Sequence, residues 1–362
     1  MIWVLILAWI IWTVLILFIN FWLKNRNGVS NNSIIDSLDI IIAVRNEGER
    51  IEHCIKSIDD QAWLPDNCRV IIVNDHSEDN TLQKAQSFRP QKVDLDVIDL
   101  THGSGKKDAL QYALDRVTSS TIVQIDGDCW MHPDFLQALL SGVDPSSSNS
   151  IFGEIRIKGN SFFEQLQMYE GLNNQCTTEA FVTAQLPIMA SGGAMAMTGE
   201  AIPIYRQSLS KEMASGDDTF FAHMLARKGI SYAYKPDAIV YSHAEQTLVE
   251  LIRQRTRWSA KTSSYDWWFP KAIALLVFGI NLIFLGFLLL LPFVQGVFWV
   301  ALLWTLKFIV EFSFHRYWFS GRGVRYPIHF AMALTVLYPI YVVFIGIRSA
   351  LMPRTVWKGR PV

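Results

Sequence analysis

Four long apolar segments limit the folds that this chain can adopt, and the first lies at its beginning. Residues Ile2 to Leu23 are apolar except for Thr13 and Asn20, and as a helix they extend roughly 33 Å, enough to cross a bilayer core. Because neither a basic leader nor a small-residue cleavage site is visible, residues 1–24 are predicted to be a retained transmembrane anchor. Lys24 and Arg26 follow directly, which predicts that the next segment lies in the cytosol.

The other three apolar segments lie in a predicted membrane region of residues 270–350, before a basic tail of residues 351–362. They are Ala272 to Leu291, Val297 to Phe314 and Ile328 to Ile347. Basic residues flank the last segment on both sides, which conflicts with the positive-inside tendency if that segment spans the membrane. Either the tendency fails here, or one C-terminal segment is re-entrant or interfacial.

The composition excludes one class of partner. The chain has 362 residues and a net charge of -1, so it lacks the basic excess that non-specific nucleic-acid binding requires. Its four cysteines form no C-x-x-C pair, and in a cytosolic domain they are expected to be free thiols.

Residues 37–245 alternate between strand patterns and helix patterns. The segments "LDIIIAVRNE", "RVIIVND", "VDLDVIDL" and "STIVQID" are typical of buried strands, and amphipathic helix patterns lie between them. This alternation predicts an α/β fold with a mostly parallel sheet covered on both faces. Ligands bind such sheets beyond the carboxyl ends of the strands. The polar motifs "RNE", "NDHSEDNT" and "DGD" follow the first, second and fourth strands at that edge.

The motif "DGD" places two carboxylates, Asp126 and Asp128, on either side of Gly127. Both can turn toward one hard cation, Mg²⁺ or Mn²⁺, which would offset their repulsion and share its shell with phosphate oxygens. Asp-Gly is also common in ordinary turns after strands. The motif alone leaves both interpretations open.

Two further motifs have a functional and a structural interpretation. Asp75 directly follows a strand and is suited to accept hydrogen bonds from a nucleobase or ribose, whereas Ser77 and Asp79 are suited to cap a helix. In "HGSGKKDAL", Lys106 or Lys107 either faces a diphosphate or simply opens a helix, and the spacing is not that of a phosphate-binding P-loop.

Asp217 and Asp218 open a helix pattern in "SGDDTFF". They either cap that helix or supply a general base at a cleft.

Residues 246–269 form a basic, amphipathic pattern that predicts an interfacial helix resting on membrane lipid. Gln254 and Arg257 are three residues apart and share a helix face. Arg257 is suited to pair with a diphosphate, and Trp258 to stack on a sugar ring. A basic helix with a tryptophan beside a membrane is also an ordinary lipid anchor.

In this order, the motifs from about Leu38 to Trp258 resemble those of the membrane-bound family-2 glycosyltransferases. That group includes cellulose, chitin, hyaluronan and poly-N-acetylglucosamine synthases and the ceramide glucosyltransferases. The resemblance implies a GT-A-type domain that binds a nucleotide-diphosphate sugar and is flanked by transmembrane helices. It also implies that Glu47 and Asp75 contact uridine, that Lys106 lies beside the nucleotide, and that Asp126 and Asp128 bind the metal.

The resemblance also assigns the acceptor side of the site. Asp218 matches the general base of the family's Glu-Asp pair, and Asp217 replaces the usual glutamate. The Q-x-x-R-W motif and the loop beside the acceptor are matched by Gln254, Arg257, Trp258, Gly192 and Gly193.

The implied reaction moves a hexose-type sugar from a nucleotide diphosphate, a UDP-sugar being expected, with inversion at the anomeric carbon. At most about four spans are available, few for a polymer channel, so a lipid or lipid-linked glycan acceptor is favoured over a processive polysaccharide synthase. A non-catalytic nucleotide-binding membrane module is the alternative from another class. The protein is expected to be integral to the membrane, the cytoplasmic membrane if the source is bacterial, with its catalytic domain in the cytosol.

Overall fold

The computed structural model describes residues 2–26, 35–141, 143–210, 216–289 and 297–352, and the backbone of 356–357 and 360–361. In chain order the helices are α1 (Ile2–Lys24), α2 (Ile51–Asp59), α3 (Thr81–Ser87), α4 (Lys106–Leu114), α5 (Phe135–Leu140), α6 (Phe162–Thr183), α7 (Ala201–Leu209), α8 (Asp217–Lys228), α9 (Leu248–Ala260), α10 (Trp268–Leu289), α11 (Val297–Gly321) and α12 (Ile328–Leu351). The strands are β1 (Ser37–Val44), β2 (Asn67–Asn74), β3 (Asp94–Asp99), β4 (Thr121–Gln124), β5 (Trp130–Met131), β6 (Asn149–Lys158), β7 (Met195–Thr198), β8 (Ser231–His243), β9 (Val356–Trp357) and β10 (Arg360–Pro361).

The central sheet has eight strands in the order β3-β2-β1-β4-β7-β6-β8-β5. The pairings β1–β2, β1–β4, β2–β3 and β6–β8 are parallel. Strand β7 runs antiparallel to both β4 and β6, and β5 runs antiparallel to β8. The predicted α/β fold with a mostly parallel sheet is confirmed, and β7 joins its two parallel parts.

Alternate residues of the central strands pack on opposite faces of the sheet, as the period of a strand requires. Ile40 and Ile42 pack into a core with α2 and α5, whereas Ile41 packs into a second core with α4 and α7. All three are fully buried, and each contributes about 1.5–3 kcal/mol relative to an exposed side chain. Covering both faces leaves the carboxyl ends of the strands as the accessible edge.

Four helices, α1, α10, α11 and α12, are long and apolar enough to cross a membrane by length and composition. Leu5 of α1 packs with Ile280 and Phe284 of α10 and with Val300 of α11. The helices differ from the predicted segments mainly at their ends, since α10 begins at Trp268, and α11 and α12 continue to Gly321 and Leu351.

The segment predicted as one interfacial helix over 246–269 is divided in the structure. Helix α9 begins after Thr247, whose side chain and that of Glu250 form a reciprocal capping box. The helix ends at Ala260, and a 3₁₀ turn over Lys261–Ser264 follows. Trp268 already belongs to α10, so the amphipathic helix is shorter than the sequence pattern predicted.

Buried ion pairs connect the C-terminal ends of α1 and α11 to the sheet domain. At the end of α11, the Arg322 guanidinium contacts Glu154 of β6 at 2.8 Å and also pairs with Glu179 of α6. Glu179 also accepts a hydrogen bond from Arg26, which follows α1. The ends of α1 and α11 therefore lie against the same domain.

Helix α12 contacts α6 near its start and α9 near its end. Near its start, Phe330 stacks on Phe162 of α6 with ring centroids 5.0 Å apart. Near its end, the hydroxyl of Ser349 lies 3.0 Å from that of Ser259 in α9. The two ends of α12 therefore pack against α6 and α9 respectively.

Candidate active site

One cavity of about 670 Å³ lies at the carboxyl edge of the sheet. The predicted site residues that line it are Glu47, Lys106, Asp126, Asp128, Gly192, Asp217, Asp218, Gln254, Arg257 and Trp258. Asp75 and Gly193 do not line it. The fold therefore brings together motifs that are more than 200 positions apart in the chain, from Glu47 to Trp258.

The turn after β4 presents the two carboxylates of the DGD motif. A Cβ atom on Gly127 would lie 2.5 Å from the side chain of Val44 in β1, so the turn packs as closely as it does only because that residue is glycine. Burial raises the pKa of Asp126, and the Asp128 carboxylate adds to the shift, although Lys106 opposes it. Two carboxylates that repel each other in this way are suited to share a cation.

Lys106 rather than Lys107 faces the cavity. Its Nζ atom lies 2.7 Å from Oδ1 of Asp126 and 3.6 Å from Oδ2 of Asp217. Lys107 does not line the cavity, and its ammonium lies 5.6 Å from the ring centroid of Phe220. Since Lys106 is the first residue of α4, the helix start and the ammonium together make this part of the cavity favourable for an anion.

Asp218 is held as a carboxylate at the start of α8. Its Oδ2 accepts a hydrogen bond from the backbone N–H of Gly192 at 3.0 Å, and its Oδ1 accepts one from Thr219 at 2.6 Å. The ammonium of Lys261 lies 3.5 Å from Oδ1. Burial alone would raise the pKa of Asp218, but Lys261 and Lys106 outweigh it, and the pKa lies below its usual range.

Of the two adjacent acids, Asp218 is the more open to the cavity. Its side chain is 18% exposed, against 5% for Asp217. Asp217 Oδ2 is buried without a hydrogen bond in the described part of the chain and lies 3.6 Å from the Lys106 ammonium. This geometry favours Asp218 as the group that meets a substrate.

Helix α9 places Arg257 in the lining of the cavity. Burial lowers the pKa of Arg257, while Asp126, Asp128 and Asp218 act in the opposite direction. Arg257 lines the same cavity as these three acids, where it is available to a diphosphate that also approaches the DGD motif. The predicted role of Arg257 is therefore compatible with its position.

The neighbours of Arg257 in α9 define the wall of the cavity. Gln254 donates a hydrogen bond to Glu245 at 2.5 Å. Trp258 is 38% exposed, and the guanidinium of Arg255 lies 4.3 Å from its ring centroid. One face of the Trp258 ring is thus covered by a cation, which restricts stacking of a sugar to the remainder of the ring.

The polar motif after β2 mainly supports the loop after β1. Asp79 accepts a hydrogen bond from the backbone of Gly48 at 3.0 Å, and the Thr81 hydroxyl accepts one from the backbone of Glu47 at 2.8 Å. These contacts fix Glu47 at the cavity. Asp75 is 1% exposed and lies 3.2 Å from a ring nitrogen of His76, so its predicted nucleotide contact is not visible in the cavity lining.

Gly192 and Gly193, which are predicted to lie beside the acceptor, lie close to Asp218 and Asp126 respectively. The carbonyl of Gly192 accepts a hydrogen bond from Gln124 at 2.7 Å, and its N–H binds Asp218. A Cβ atom on Gly193 would lie 3.3 Å from Oδ2 of Asp126. The close approach explains why small residues occupy this loop.

Sequence reasoning missed Lys261, Arg255 and Glu245. Lys261 lies four residues after Arg257, and this spacing, which puts two residues on one helix face, was the available signal. Arg255 is 3% exposed and pairs with Glu170 of α6 at 2.6 Å. That pairing joins α9 to α6 and has no signal in the local pattern.

The residues fit a divalent cation that arrives with phosphate. Among the described residues, no group of three or more His, Cys, Asp or Glu side chains is arranged to hold a metal ion. The available oxygen donors are the carboxylates of Asp126 and Asp128. Mg²⁺ is commonly held in this way, by one or two carboxylates, with substrate phosphates and water completing the shell.

Comparison with known proteins gives the family. The model of "Glycosyl transferase family 2" matches residues 39–202, and that of "Glycosyl transferase family group 2" matches residues 121–347. The chain belongs to glycosyl transferase family group 2. The resemblance inferred from the motifs is confirmed.

Two curated relatives each match nearly two thirds of this chain. An N-acetylglucosaminyltransferase of Rhizobium meliloti is 23% identical over 242 residues, 63% of this chain and 56% of the relative. A poly-beta-1,6-N-acetyl-D-glucosamine synthase of Staphylococcus aureus is 21% identical over 244 residues, 65% of this chain and 57% of the relative. This family member therefore spans little more than half the length of these relatives.

A solved structure shares the fold over almost the whole chain. A mannosyltransferase of Pyrobaculum calidifontis in complex with GDP-Man and Mn²⁺ is 18% identical, with a TM-score of 0.61. The likeness covers 92% of this chain and 96% of that one. Together with the family models, it confirms the predicted GT-A-type fold.

Proposed function

We propose that this protein is an inverting glycosyltransferase that moves a hexose-type sugar from a nucleotide-diphosphate donor, a UDP-sugar, to an acceptor at membrane level. The acceptor is a lipid or a lipid-linked glycan. One observation carries the proposal: a single cavity contains the DGD carboxylates, Asp218 and Arg257, and continues between the membrane helices to Ile16 of α1 and Phe278 of α10.

The donor half of the reaction rests on charge complementarity. Asp126 and Asp128 would hold Mg²⁺ or Mn²⁺ together with the donor's diphosphate. When bound, the cation supplies charge neutralisation as negative charge develops on the leaving diphosphate. Arg257 and Lys106 add fixed positive charge at the same place, and such preorganised charge is the main way proteins stabilise a leaving group.

The acceptor half of the reaction rests on Asp218. Its depressed pKa keeps it ionised at neutral pH, so it is ready to accept the proton of the acceptor hydroxyl as that oxygen attacks the anomeric carbon. The carbon–oxygen bond to the diphosphate breaks as the new bond forms on the opposite face. A single displacement of this kind inverts the anomeric configuration.

A processive polysaccharide synthase is the second candidate. The polysaccharide synthase among the curated relatives favours it, as does the continuation of the cavity between α1, α10, α11 and α12. The two candidates differ in product: a lipid acceptor gives a glycolipid of discrete mass, whereas processive synthesis gives polymers of many lengths.

The test uses the full-length protein in lipid nanodiscs with UDP-glucose, UDP-N-acetylglucosamine and GDP-mannose, each with Mg²⁺ or Mn²⁺. Released nucleoside diphosphate is measured, and products are identified by mass spectrometry after chloroform extraction. We expect one donor to give a chloroform-extractable product, and excess chelator to stop its formation.

Three outcomes of this test would contradict parts of the proposal. A water-soluble polymer ladder would replace the lipid acceptor with the processive alternative. Release of pyrophosphate would indicate nucleotidyl transfer. Absence of turnover with every donor would favour a non-catalytic nucleotide-binding module.

A further inference from the structure

Gln124 of β4 carries an amide that is buried inside the sheet. It is 0% exposed, and its neighbours Ile122 and Val123 pack into different cores on the two faces of the sheet. Strands that are covered on both faces are usually apolar throughout, and a buried amide costs free energy unless its hydrogen bonds are made. Because Gln124 is two residues before Asp126, this amide lies directly before the DGD turn.

The orientation of the amide follows from its two neighbours. Its Nε2 atom donates a hydrogen bond to the carbonyl of Gly192 at 2.7 Å. A carbonyl oxygen can only accept, so the amide nitrogen faces Gly192 and the amide oxygen faces Tyr205. The hydroxyl of Tyr205 donates a hydrogen bond to this oxygen. Both ends of the amide are therefore engaged.

Tyr205 of α7 is itself held against the helix that carries the general base. Its side chain is fully buried, and its ring packs edge-on against Phe221 of α8 with ring centroids 5.1 Å apart. Burial raises the pKa of Tyr205 well above its usual value, and the nearby Asp217 adds to the shift. The hydroxyl therefore keeps its proton and remains a donor to Gln124 at neutral pH.

Gly192 connects the buried amide to Asp218. While its carbonyl is held by Gln124, its N–H donates to Oδ2 of Asp218 at 3.0 Å. A Cβ atom on Gly192 would lie 3.2 Å from Nε2 of Gln124 and 3.4 Å from the Cβ atom of Asp218. The glycine is thus packed between the two side chains, so a shift of Gln124 would displace the residue that holds the base.

We propose that Gln124 and Tyr205 are positioning residues that fix Gly192 and, through it, the carboxylate of Asp218 relative to the DGD turn. The inference rests on the proposed function, since it concerns the general base of that reaction. Neither Gln124 nor Tyr205 lines the cavity, so neither is placed to contact a substrate there. A displacement of about 1 Å in a reacting group can lower a rate about 10²-fold, so the loss of these contacts should change the rate rather than the donor affinity.

The first test separates catalysis from donor binding in the full-length protein in nanodiscs. Gln124→Met keeps the length of the side chain and removes both hydrogen bonds, whereas Tyr205→Phe keeps the ring and removes the hydroxyl. We expect kcat to fall about 10- to 100-fold in Gln124→Met and about three- to tenfold in Tyr205→Phe. The donor KM, and the Kd of the released nucleoside diphosphate with Mn²⁺, should stay within about twofold.

Thr121→Val is the matched control for this test. It removes a buried hydroxyl from the same strand, and that hydroxyl has no hydrogen-bond partner among the described residues. Its kcat should stay within about twofold of the unaltered enzyme. The thermal unfolding midpoint is measured for every variant, and if Gln124→Met does not fold, Tyr205→Phe decides by the same readouts.

A double variant tests whether Tyr205 acts through Gln124. In Gln124→Met the hydroxyl of Tyr205 no longer has an amide to orient, so adding Tyr205→Phe should lower kcat by less than about twofold more. Residues that act independently give losses that multiply, and such a result would contradict the inference.

The pH profile gives a further readout, because the N–H of Gly192 is one of the groups that hold the pKa of Asp218 below its usual range. Gln124→Met should weaken this contact, so the acid limb of kcat against pH should move to higher pH. An acid limb that stays in place while kcat falls would indicate a packing defect and contradict the inference. The charged and titratable groups that face Asp218 are the same in all these variants: Lys106, Asp217, His223, Arg257 and Lys261.

Hydrogen exchange gives a readout that does not depend on activity. The amide hydrogen of Gly192 should exchange about three- to tenfold faster in Gln124→Met than in the unaltered protein or in Thr121→Val, as measured by mass spectrometry of peptides that contain Gly192. Unchanged exchange, or an unchanged kcat in an active enzyme, would overturn the inference. Faster exchange in a protein that transfers no sugar would instead overturn the proposed function and leave the positioning of Gly192 by Gln124 standing.

Discussion

The ammonium of Lys106 lies 2.7 Å from the Asp126 carboxylate of the DGD motif. The pair joins the start of α4 to the turn after β4. Lys106 therefore has two opposite effects: it attracts the donor's diphosphate, and it weakens the attraction of the acids for a cation.

These effects predict opposite changes in Lys106→Met. The donor KM should rise about tenfold or more, because a hydrogen bond between charged groups contributes about 1.5–3 kcal/mol. The Mn²⁺ concentration for half-maximal rate should fall, since Asp126 loses its competing cation. Steady-state kinetics with varied donor and varied Mn²⁺ separate the two effects, and Lys107→Met, which faces Phe220, is the matched control. A rise in both constants would contradict this interpretation.

The adjacent acids are predicted to differ in role. Asp218→Asn keeps the shape and cannot accept the acceptor's proton, so donor binding should persist while kcat falls by 10²-fold or more. Asp217→Asn should mainly change donor KM, because Asp217 contacts Lys106. Titration with UDP and single-turnover rates distinguish binding from chemistry. The reverse pattern, with Asp217→Asn defective in chemistry and Asp218→Asn active, would assign the base to Asp217.

The pH dependence should depend on Lys261. The ammoniums of Lys261 and Lys106 depress the pKa of Asp218 despite its burial, so the unaltered enzyme should lose activity only at pH values below the usual carboxyl range. Lys261→Met removes one of these charges, the pKa of Asp218 rises, and the acid limb of kcat against pH should move to higher pH. Arg257 and Asp217 are present in both the unaltered enzyme and Lys261→Met, so the shift of the acid limb between them measures the effect of the Lys261 charge on Asp218.

Lys261→Arg is the control for this prediction, because it keeps the positive charge and should keep the acid limb near that of the unaltered enzyme. An unchanged limb in Lys261→Met would exclude Lys261 as a group that sets the ionisation of the base.

The local motifs were predictable because each requires only neighbouring residues in a strand–turn or helical pattern. Asp126 and Asp128 follow an apolar strand, and Gln254, Arg257 and Trp258 share a helix. Asp75 met the same criteria, but its side chain does not line the cavity. Local position at a strand end therefore identifies candidates, while the packing of the following loop decides which of them reach the site.

Strand β8 and the pairs of Arg322 were not predicted, for different reasons. The segment Ser231–His243 contains Lys235, Pro236 and Asp237, which interrupt the apolar alternation, and its register with β6 shifts between Gly153 and Glu154. Arg322 and Glu154 are 168 positions apart. Such a contact has no periodic signal, and only the packing of α11 on the sheet domain creates it.

Arg322 should be important for stability rather than chemistry. Its partners Glu154 and Glu179 are 0% and 1% exposed. Arg322→Met would remove one positively charged partner from each of these two buried carboxylates. Breaking a buried ion pair typically costs about 3–5 kcal/mol; Arg156 and Arg26 also contact these acids, so we expect about 3 kcal/mol.

A thiol-reactive dye can measure this change during heating, because all four cysteines are buried and free. Arg325→Met, at an exposed position nearby, is the control and should unfold at nearly the same temperature as the unaltered protein. Equal midpoints for Arg322→Met and the control would mean that the buried acids are compensated by their other partners.

The topology of α12 gives the last prediction. Phe330 contacts α6 of the sheet domain, and Ser349 contacts α9, the helix predicted to rest on the membrane surface, so we predict that α12 lies along that surface with both ends on the cytosolic side. This arrangement also removes the conflict with the positive-inside tendency, because the basic residues before and after α12 then lie on one side.

Single cysteines can test this topology of α12, since the four native thiols are buried. In sealed inside-out vesicles, Ser320→Cys and Met352→Cys should react with a membrane-impermeant maleimide, and Val297→Cys, at the opposite end of α11 from Ser320, should not. In right-side-out vesicles the pattern should be reversed. Labelling of Met352→Cys together with Val297→Cys, and apart from Ser320→Cys, would mean that α12 crosses the bilayer.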